Sequence, residues 1–351
     1  MYYKAVKSEA YGFIPSYYTQ QWQKAMSWVR TNTDKNAVFA HWWDYGYWVQ
    51  SIGKRASVTD GGNAIVYWNY LSGRFVLTGD NQKDALNFLY SHNATHLLID
   101  SSDLGKYGAF SSIGSNKDYD RLSQGPIGLT SDARQIQETK DRIVRIYSIF
   151  IDANRVATSP IEEDIAIEIN GTKTNLFKEK TGFIGIESRY SLLNNSKILF
   201  EQPEALFATN GRQIQLPMRY LYYMGNFYDY KTGINATAYI MERAYNSGNG
   251  MQIDNLGAAM YISPRLMRGL LSQIYLLNNS LGNFDNFKPV HSEPNPIIEY
   301  LNQQGANLNE FIYFNGIQGP IKIWEIKYSG NEEKKEEYLL TKPPASIDWQ
   351  F

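Results

Sequence analysis

The sequence predicts a mixed α/β core domain interrupted by an all-β unit, and three observations predict it. Residues 20–100 alternate helical and strand spacing. Beyond about residue 145 β-formers cluster between Asn, Gly and Pro turns, and after residue 257 helical spacing returns. At 351 residues the chain exceeds the roughly 250–300 at which one core stops growing, so it is multidomain. The expected organisation is a core domain in two parts, 1–150 and 241–351, around an inserted β-rich domain at 151–240.

The elements follow in order. SYYTQQWQKAMSWVRTNT puts Trp22, Ala25, Met26 and Val29 on one helical face, with Ser16 or Thr19 as N-cap. Residues 37–40 read as a buried strand that delivers the octet HWWDYGYW, residues 41–48, at its C-terminal end, where open α/β sheets bind ligands. SVTDGGN reads as a strand entering a glycine turn. Ala85, Leu86, Phe88 and Leu89 mark a helix, and THLLID a buried strand. RIVRIYSIFI, DIAIEIN, TGFIGIE, KILFE and RQIQLPMRYLYYMGNFYDY supply the β unit. In SPRLMRGLLSQIYLLNNS, Ser263 as N-cap before Pro264 opens a helix on which Leu266, Met267, Leu270, Ile274 and Leu277 share a face. Strands are expected at 311–313 and 321–328, and the charged NEEKKEEY reads as a solvated tail or turn.

Composition excludes several functions. Lys plus Arg (34) balances Asp plus Glu (35), so no basic surplus serves nucleic acid. Cysteine is absent, which removes disulfides and thiolate chemistry. No apolar run of about 18 residues exists to span a bilayer, and MYYKAVKSEAYGF has no signal-like apolar stretch. Aromatics reach 15%, a content that suits sugar rings, extended peptides or bulky core filling. Five Asn-x-Ser/Thr patterns, at Asn93, Asn170, Asn194, Asn235 and Asn278, hint at an extracytoplasmic setting.

The octet fits neither the strand period nor the helical one. Its centre, WWDYG at 42–46, resembles the signature of the catalytic subunit of oligosaccharyltransferase, the membrane enzyme that transfers a lipid-linked glycan to the asparagine of Asn-x-Ser/Thr. The flanks WQKAMSWVRTNT and RASVTDGGN look like the family's preceding helix and following strand, so the close resemblance covers residues 20–63. A second family element is a helix carrying Met-x-x-Ile in one branch and Asp-x-x-Lys in another. PRLMRGLLSQI is similar to the first, with Met267 and Ile274 in place and Leu270 as a departure. The β insertion, the helix variant and the lack of cysteine look more like an archaeal single-subunit enzyme than a eukaryotic one, with a bacterial origin also open.

The resemblance implies that Trp42, Trp43, Asp44, Met267 and Leu270 bind the acceptor, supported by Tyr45, Gly46, Asp60 and Ile274. Asp44 can accept the proton of the Ser/Thr hydroxyl while the indoles of Trp42 and Trp43 donate to its oxygen. Acceptors without the hydroxyl would leave those groups unpaired, at about 1–3 kcal/mol each. Met267 and Leu270 would wall the threonine methyl, worth on the order of 0.8 kcal/mol, so Met267→Ala would narrow a few-fold preference for Thr over Ser. Transfer also needs a divalent cation, Mn or Mg, and a dolichyl mono- or diphosphate carrier. The family holds those parts in a multi-span membrane region. This chain, expected to begin just after the last span at the extracytoplasmic face, would bind Asn-x-Ser/Thr polypeptides and catalyse nothing alone. Lipid-linked oligosaccharide would engage only the membrane region. No catalytic residue and no metal or cofactor ligand is assigned here: Asp118 to Asp120 read as a loop, and His92 and His96 straddle a predicted strand start. Two other readings stay open, a carbohydrate-binding or cell-surface module and a glycoside hydrolase using Asp44 and Asp60.

Overall fold

The structure, a computed structural model, describes residues 18–345 and 347, apart from 132, 153–154, 170, 193–197 and 249. Ser16, Asn170 and Asn194 therefore lie outside the described residues. The fold is mixed α/β, and its described residues form a five-stranded sheet, a thirteen-stranded sheet and two small two-stranded ones.

The first sheet has five strands. Helix α1 (Gln20–Asn32), capped by the Thr19 side chain, buries Trp22, Ala25, Met26 and Val29 and leads into β1 (Val38–Ala40). β1 runs parallel to β2 (Ala56–Ser57) on one side and to β3 (His96–Ile99) on the other. Between them lie α2 (Gly46–Ser51), α3 (Val66–Leu71) and α4 (Gln82–Ser91), the last capped by Asn81. After β3 comes α5 (Ser102–Ile113).

In the larger sheet, seven of the thirteen strands pair into a closed ring. They are β4 (Ile127–Thr130), β5 (Ile143–Ser148), β6 (Thr181–Leu192), β7 (Glu204–Thr209), β8 (Arg212–Tyr223), β9 (Ile234–Ser247) and β10 (Gly250–Ile262). The order β8-β7-β6-β5-β4-β10-β9 returns to β8 through a parallel pairing, Leu221 opposite Ala238. Strands on both sides of residues 151–240 thus join one barrel. Period-2 alternation lets β9 and β10 serve two cores. Ala236, Ala238, Ile240, Ala259 and Tyr261 fill the barrel, while Tyr239, Met241, Ala258 and Met260 pack on the α/β part.

After the barrel, α6 (Pro264–Arg268) is capped by Ser263 with Pro264 at its first turn. β11 (Phe287–Glu293), α7 (Pro296–Gln303) and β12 (Ile321–Ile326) follow, and β12 and β11 add antiparallel strands beside β3.

Two expectations are corrected. Continuous helix does not run from 257 to 277: residues 257–262 belong to β10, and the helix that follows breaks at Gly269, whose backbone is extended (ψ 145°). The cause is tertiary, because the Leu270 N–H donates to the Gly79 carbonyl at 2.7 Å. The chain then rewinds as a wider π turn over Ser272–Leu276, so Met267, Leu270 and Ile274 do not follow one regular helical face. The NEEKKEEY run, expected as a solvated tail or turn, is largely exposed and ends in a 3-10 turn at Glu336–Leu339, yet it is docked rather than a free tail. Tyr338 is buried against Phe75 and Phe88, and the Glu333 and Lys335 N–H groups donate to Asn87 and Ser91 on α4.

Candidate functional site

β1 ends at Ala40, and the octet turns at once into a single 3-10 turn, Trp43–Tyr45, that runs into α2. Glycine is required at its hinge. A Cβ on Gly46 would lie 2.4 Å from Asp60 Cβ and 2.7 Å from the Thr59 carbonyl oxygen. The turn thereby lies directly on the segment that carries Asp60. Both Asp60 oxygens are engaged, accepting from Gly62 N–H at 2.9 Å and from Gln50 Nε2 at 2.8 Å, and so hold the DGGN turn.

His41 locks the entrance. Its Nδ1 lies 2.7 Å from the Trp42 carbonyl, which can only accept, so Nδ1 carries the proton and Nε2 accepts from Ser57 at 2.9 Å. Burial lowers its pKa to about 4, which keeps the ring neutral. The aromatic residues interlock: Trp42 lies 3.8 Å from Trp43 and 5.4 Å from Phe110, while Trp22 contacts Tyr45 at 4.7 Å and Trp48 at 4.8 Å.

Within WWDYG the side chains divide into two sets. Trp42 and Tyr45 are each 2% exposed and Gly46 is buried, whereas Trp43 is partly exposed and the Asp44 side chain is 38% exposed. Trp42, expected to donate to an acceptor hydroxyl, is instead sealed between Trp43 and Phe110. Asp44 Oδ2 meets Lys106 Nζ of α5 at 2.7 Å. The same ammonium donates to the Tyr45 hydroxyl at 3.1 Å and stands 4.6 Å from the centre of its ring. Tyr45 in turn donates to Asp103 Oδ1 at 2.7 Å, and Asp103 Oδ2 accepts the Asp100 N–H at 3.0 Å. Burial, reinforced by the neighbouring Asp100, raises the Asp103 pKa to about 7.

α5 thus carries the groups that fix Asp44, and the sequence reading missed them. The available signal was Asp103-Leu104-Gly105-Lys106, the Asp-x-x-Lys spacing of the second family element. The Met-bearing segment sits elsewhere in the packing. Met267, Leu270 and Ile274 are buried in the core. Met267 Sδ accepts from Thr237 of β9 at 3.0 Å, and Ile274 lines a cleft with Phe287, His291 and Trp324. Met267 and Leu270 therefore offer no surface to a peptide in this conformation.

Other candidates are occupied structurally. Asp120 forms a two-pronged pair with Arg74 at 3.1 and 2.9 Å. His92 ends α4 and His96 begins β3. Among the described residues no group of three or more His, Asp or Glu side chains could hold a metal ion, and no helix is long and apolar enough to cross a membrane.

No protein-family model matches the chain. Curated relatives do. Dolichyl-phosphooligosaccharide-protein glycotransferase 1 of Pyrococcus horikoshii is 35% identical over 95 residues, 26% of this chain and 9% of the relative. Its Pyrococcus furiosus counterpart is 33% identical over 98 residues, 27% of this chain and 10% of the relative. Over these stretches the chain is homologous to archaeal dolichyl-phosphooligosaccharide-protein glycotransferases, and they span only about a tenth of those relatives' length. A longer match to glycotransferase 2 of P. furiosus, 25% identical over 204 residues, takes in 54% of this oligosaccharyltransferase homologue and 26% of the relative. Among solved structures, the C-terminal domain of C. jejuni PglB is 12% identical with a TM-score of 0.40, covering 87% of this chain and 99% of that one. The C-terminal globular domain of the Pyrococcus abyssi oligosaccharyltransferase is 14% identical with a TM-score of 0.37, covering 87% and 50%.

Proposed function

We propose that this chain is the C-terminal globular domain of an oligosaccharyltransferase and supplies its acceptor recognition, with Asp44 reading the Ser/Thr hydroxyl of Asn-x-Ser/Thr. One observation carries the reading: Asp44 is the carboxylate of the motif that reaches solvent, and it is oriented by Lys106 through the buried Tyr45–Asp103 pair. A carboxylate held this way can accept the hydroxyl's proton, while the partly exposed Trp43 lies beside it as the apolar and N–H-bearing wall. Trp42, Tyr45, Gly46 and Asp60 set the shape of the turn from behind. Serine and threonine satisfy the carboxylate, whereas alanine or valine would desolvate it without a donor, at about 1–3 kcal/mol.

In this reading glycan transfer from the dolichyl mono- or diphosphate carrier, and the Mn or Mg ion it uses, belong to a membrane region outside this chain, at the extracytoplasmic face. Among the described residues no group of three or more His, Asp or Glu side chains could hold that ion. The test is reconstruction in a full-length enzyme. Asp44→Ala should abolish transfer to Asn-x-Thr peptides while the lipid-linked donor still binds, and full activity of that variant would refute the assignment. Photocrosslinking of an Asn-x-Thr peptide should label Trp43 and α5.

A further inference from the structure

Two clefts adjoin along β11, the edge strand of the five-stranded sheet, and neither is lined by Trp43, Asp44 or Lys106. The first, about 520 Å³, has Trp28, Asn32, Asp34, Asn36, His96 and Glu325 in its wall. The second, about 460 Å³, has Asn278, His291, Ser292, Glu310 and Lys322. Val290 lines both. Trp28 belongs to one cleft and His291 to the other, and their rings are stacked 4.4 Å apart at 8°. An aromatic pair therefore stands where the basins meet, Trp28 lining one and His291 the other, with one face of each ring against its partner.

The walls select a chemistry. Lys322 is spent inside the protein, its ammonium 2.7 Å from Glu310 and 3.1 Å from the Tyr275 carbonyl, and burial disfavours the charged form of both His96 and His291. Among the described lining residues no uncommitted cation remains to meet a phosphate, sulfate or uronate. What remains is amide and carboxylate: Asp34 Oδ1 takes the Asn36 N–H at 2.7 Å, leaving Oδ2 and the exposed Asn36 side chain at the rim. Flat apolar faces beside carboxamides and carboxylates suit a ring with C–H faces and a hydroxyl-bearing edge. Each basin is within the roughly 300–1,000 Å³ of small-ligand sites.

We propose that this double cleft binds an uncharged oligosaccharide, held across the Trp28–His291 pair with at least one sugar ring in each basin. The site is independent of Asp44. It would engage either a donor glycan or a glycan already attached to protein, because both present the same hydroxyl-rich rings.

The test uses the 351-residue chain, titrated with neutral tri- and tetrasaccharides and with oligogalacturonate, and followed by amide chemical shifts. Saturable binding of a neutral saccharide with shifts on α1 and β11, weaker or absent for the acidic one, is expected. Trp28→Ala should weaken it about tenfold. Asn36→Lys, at an exposed rim position, should confer affinity for the acidic ligand. Asp44→Ala should leave binding unchanged, which separates this site from acceptor recognition. Comparing a glycosyl-asparagine peptide with the same glycan bearing a reducing-end phosphate shows which source binds tighter. No saturation up to about 10 mM of any neutral saccharide, a preference for the acidic ligand, or shifts confined to the WWDYG turn would overturn the proposal.

Discussion

Gly46 and Gly105 should respond in opposite directions to the same substitution. Gly46 opens α2 with φ −55° and ψ −45°, a conformation that alanine adopts freely. Backbone arguments alone therefore predict that Gly46→Ala stabilises by about 0.4–1 kcal/mol, through lost freedom of the unfolded chain. The structure opposes this gain with a contact. The new methyl would sit 2.4 Å from Asp60 Cβ and 2.5 Å from Asp60 Cα, atoms that cannot rotate away, because Asp60 is tied to Gly62 and Gln50. Overpacking of this kind costs about 1–3 kcal/mol, so the contact wins and the net change is destabilising. Gly105, on the exposed face of α5, has nothing within 4 Å of its would-be Cβ. There the helical gain of up to about 1 kcal/mol stands unopposed, and Gly105→Ala should stabilise. Urea unfolding of the two variants reads both signs from midpoint shifts at constant slope. A Gly46→Ala midpoint equal to or above wild type would refute the close packing of the WWDYG turn on Asp60.

Three further outcomes follow from the site. Lys106→Met, in a full-length enzyme, should raise KM for Asn-x-Thr peptides about five- to thirtyfold, corresponding to 1–2 kcal/mol. Its effect on folding should stay near 1 kcal/mol because the Asp44 pair is about one-third exposed on each side, and an unchanged KM would remove Lys106 from the site. Asp103→Asn should flatten part of the pH dependence of stability. The folded carboxyl titrates near 7, above its ordinary value, so the native state holds a proton that the unfolded chain releases. That contribution is full below about pH 4 and is lost as pH rises to 7, and the wild-type minus variant difference from urea midpoints should fall across that window. Met267→Ala should cost about 2–5 kcal/mol as a buried truncation and leave the Thr-to-Ser preference of the full-length enzyme unchanged. A narrowed preference would return Met267 to the acceptor pocket.

What could be read in the sequence was local. The α1 face, β1, the octet and the DGGN turn are consecutive or nearly so, and their spacing or motif states their structure directly. Of the seven barrel strands β5, β6 and β8 were legible as β from their alternation, whereas β4, β7, β9 and β10 were not named and the end of β10 was read as helix. What was not legible depended on distant partners. Reading helix through Gly269 was reasonable from spacing, yet the Leu270 N–H finds its acceptor on Gly79, and that bond sets the extended break. Charge in NEEKKEEY masked Tyr338, the one residue of that run that decides where it docks.

The larger omission was α5, and its physical cause bears on function. SDLGKYGAFSSI mixes glycine and serine, residues with weak helical preference, so its composition carries little helical signal. It is helical because Asp103, Leu104, Tyr107, Phe110 and Ser111 are buried. That burial places Phe110 against Trp42, and Asp103 and Lys106 against the Tyr45–Asp44 turn. Three of the five WWDYG residues face inward toward this packing, leaving Trp43 and Asp44 to face outward. A pentapeptide records both sets without distinguishing them. The helix supplies the distinction, because Lys106 ties the Asp44 carboxylate to the buried Tyr45–Asp103 pair while the rest of that carboxylate stays open to solvent, where the proposed acceptor hydroxyl would meet it.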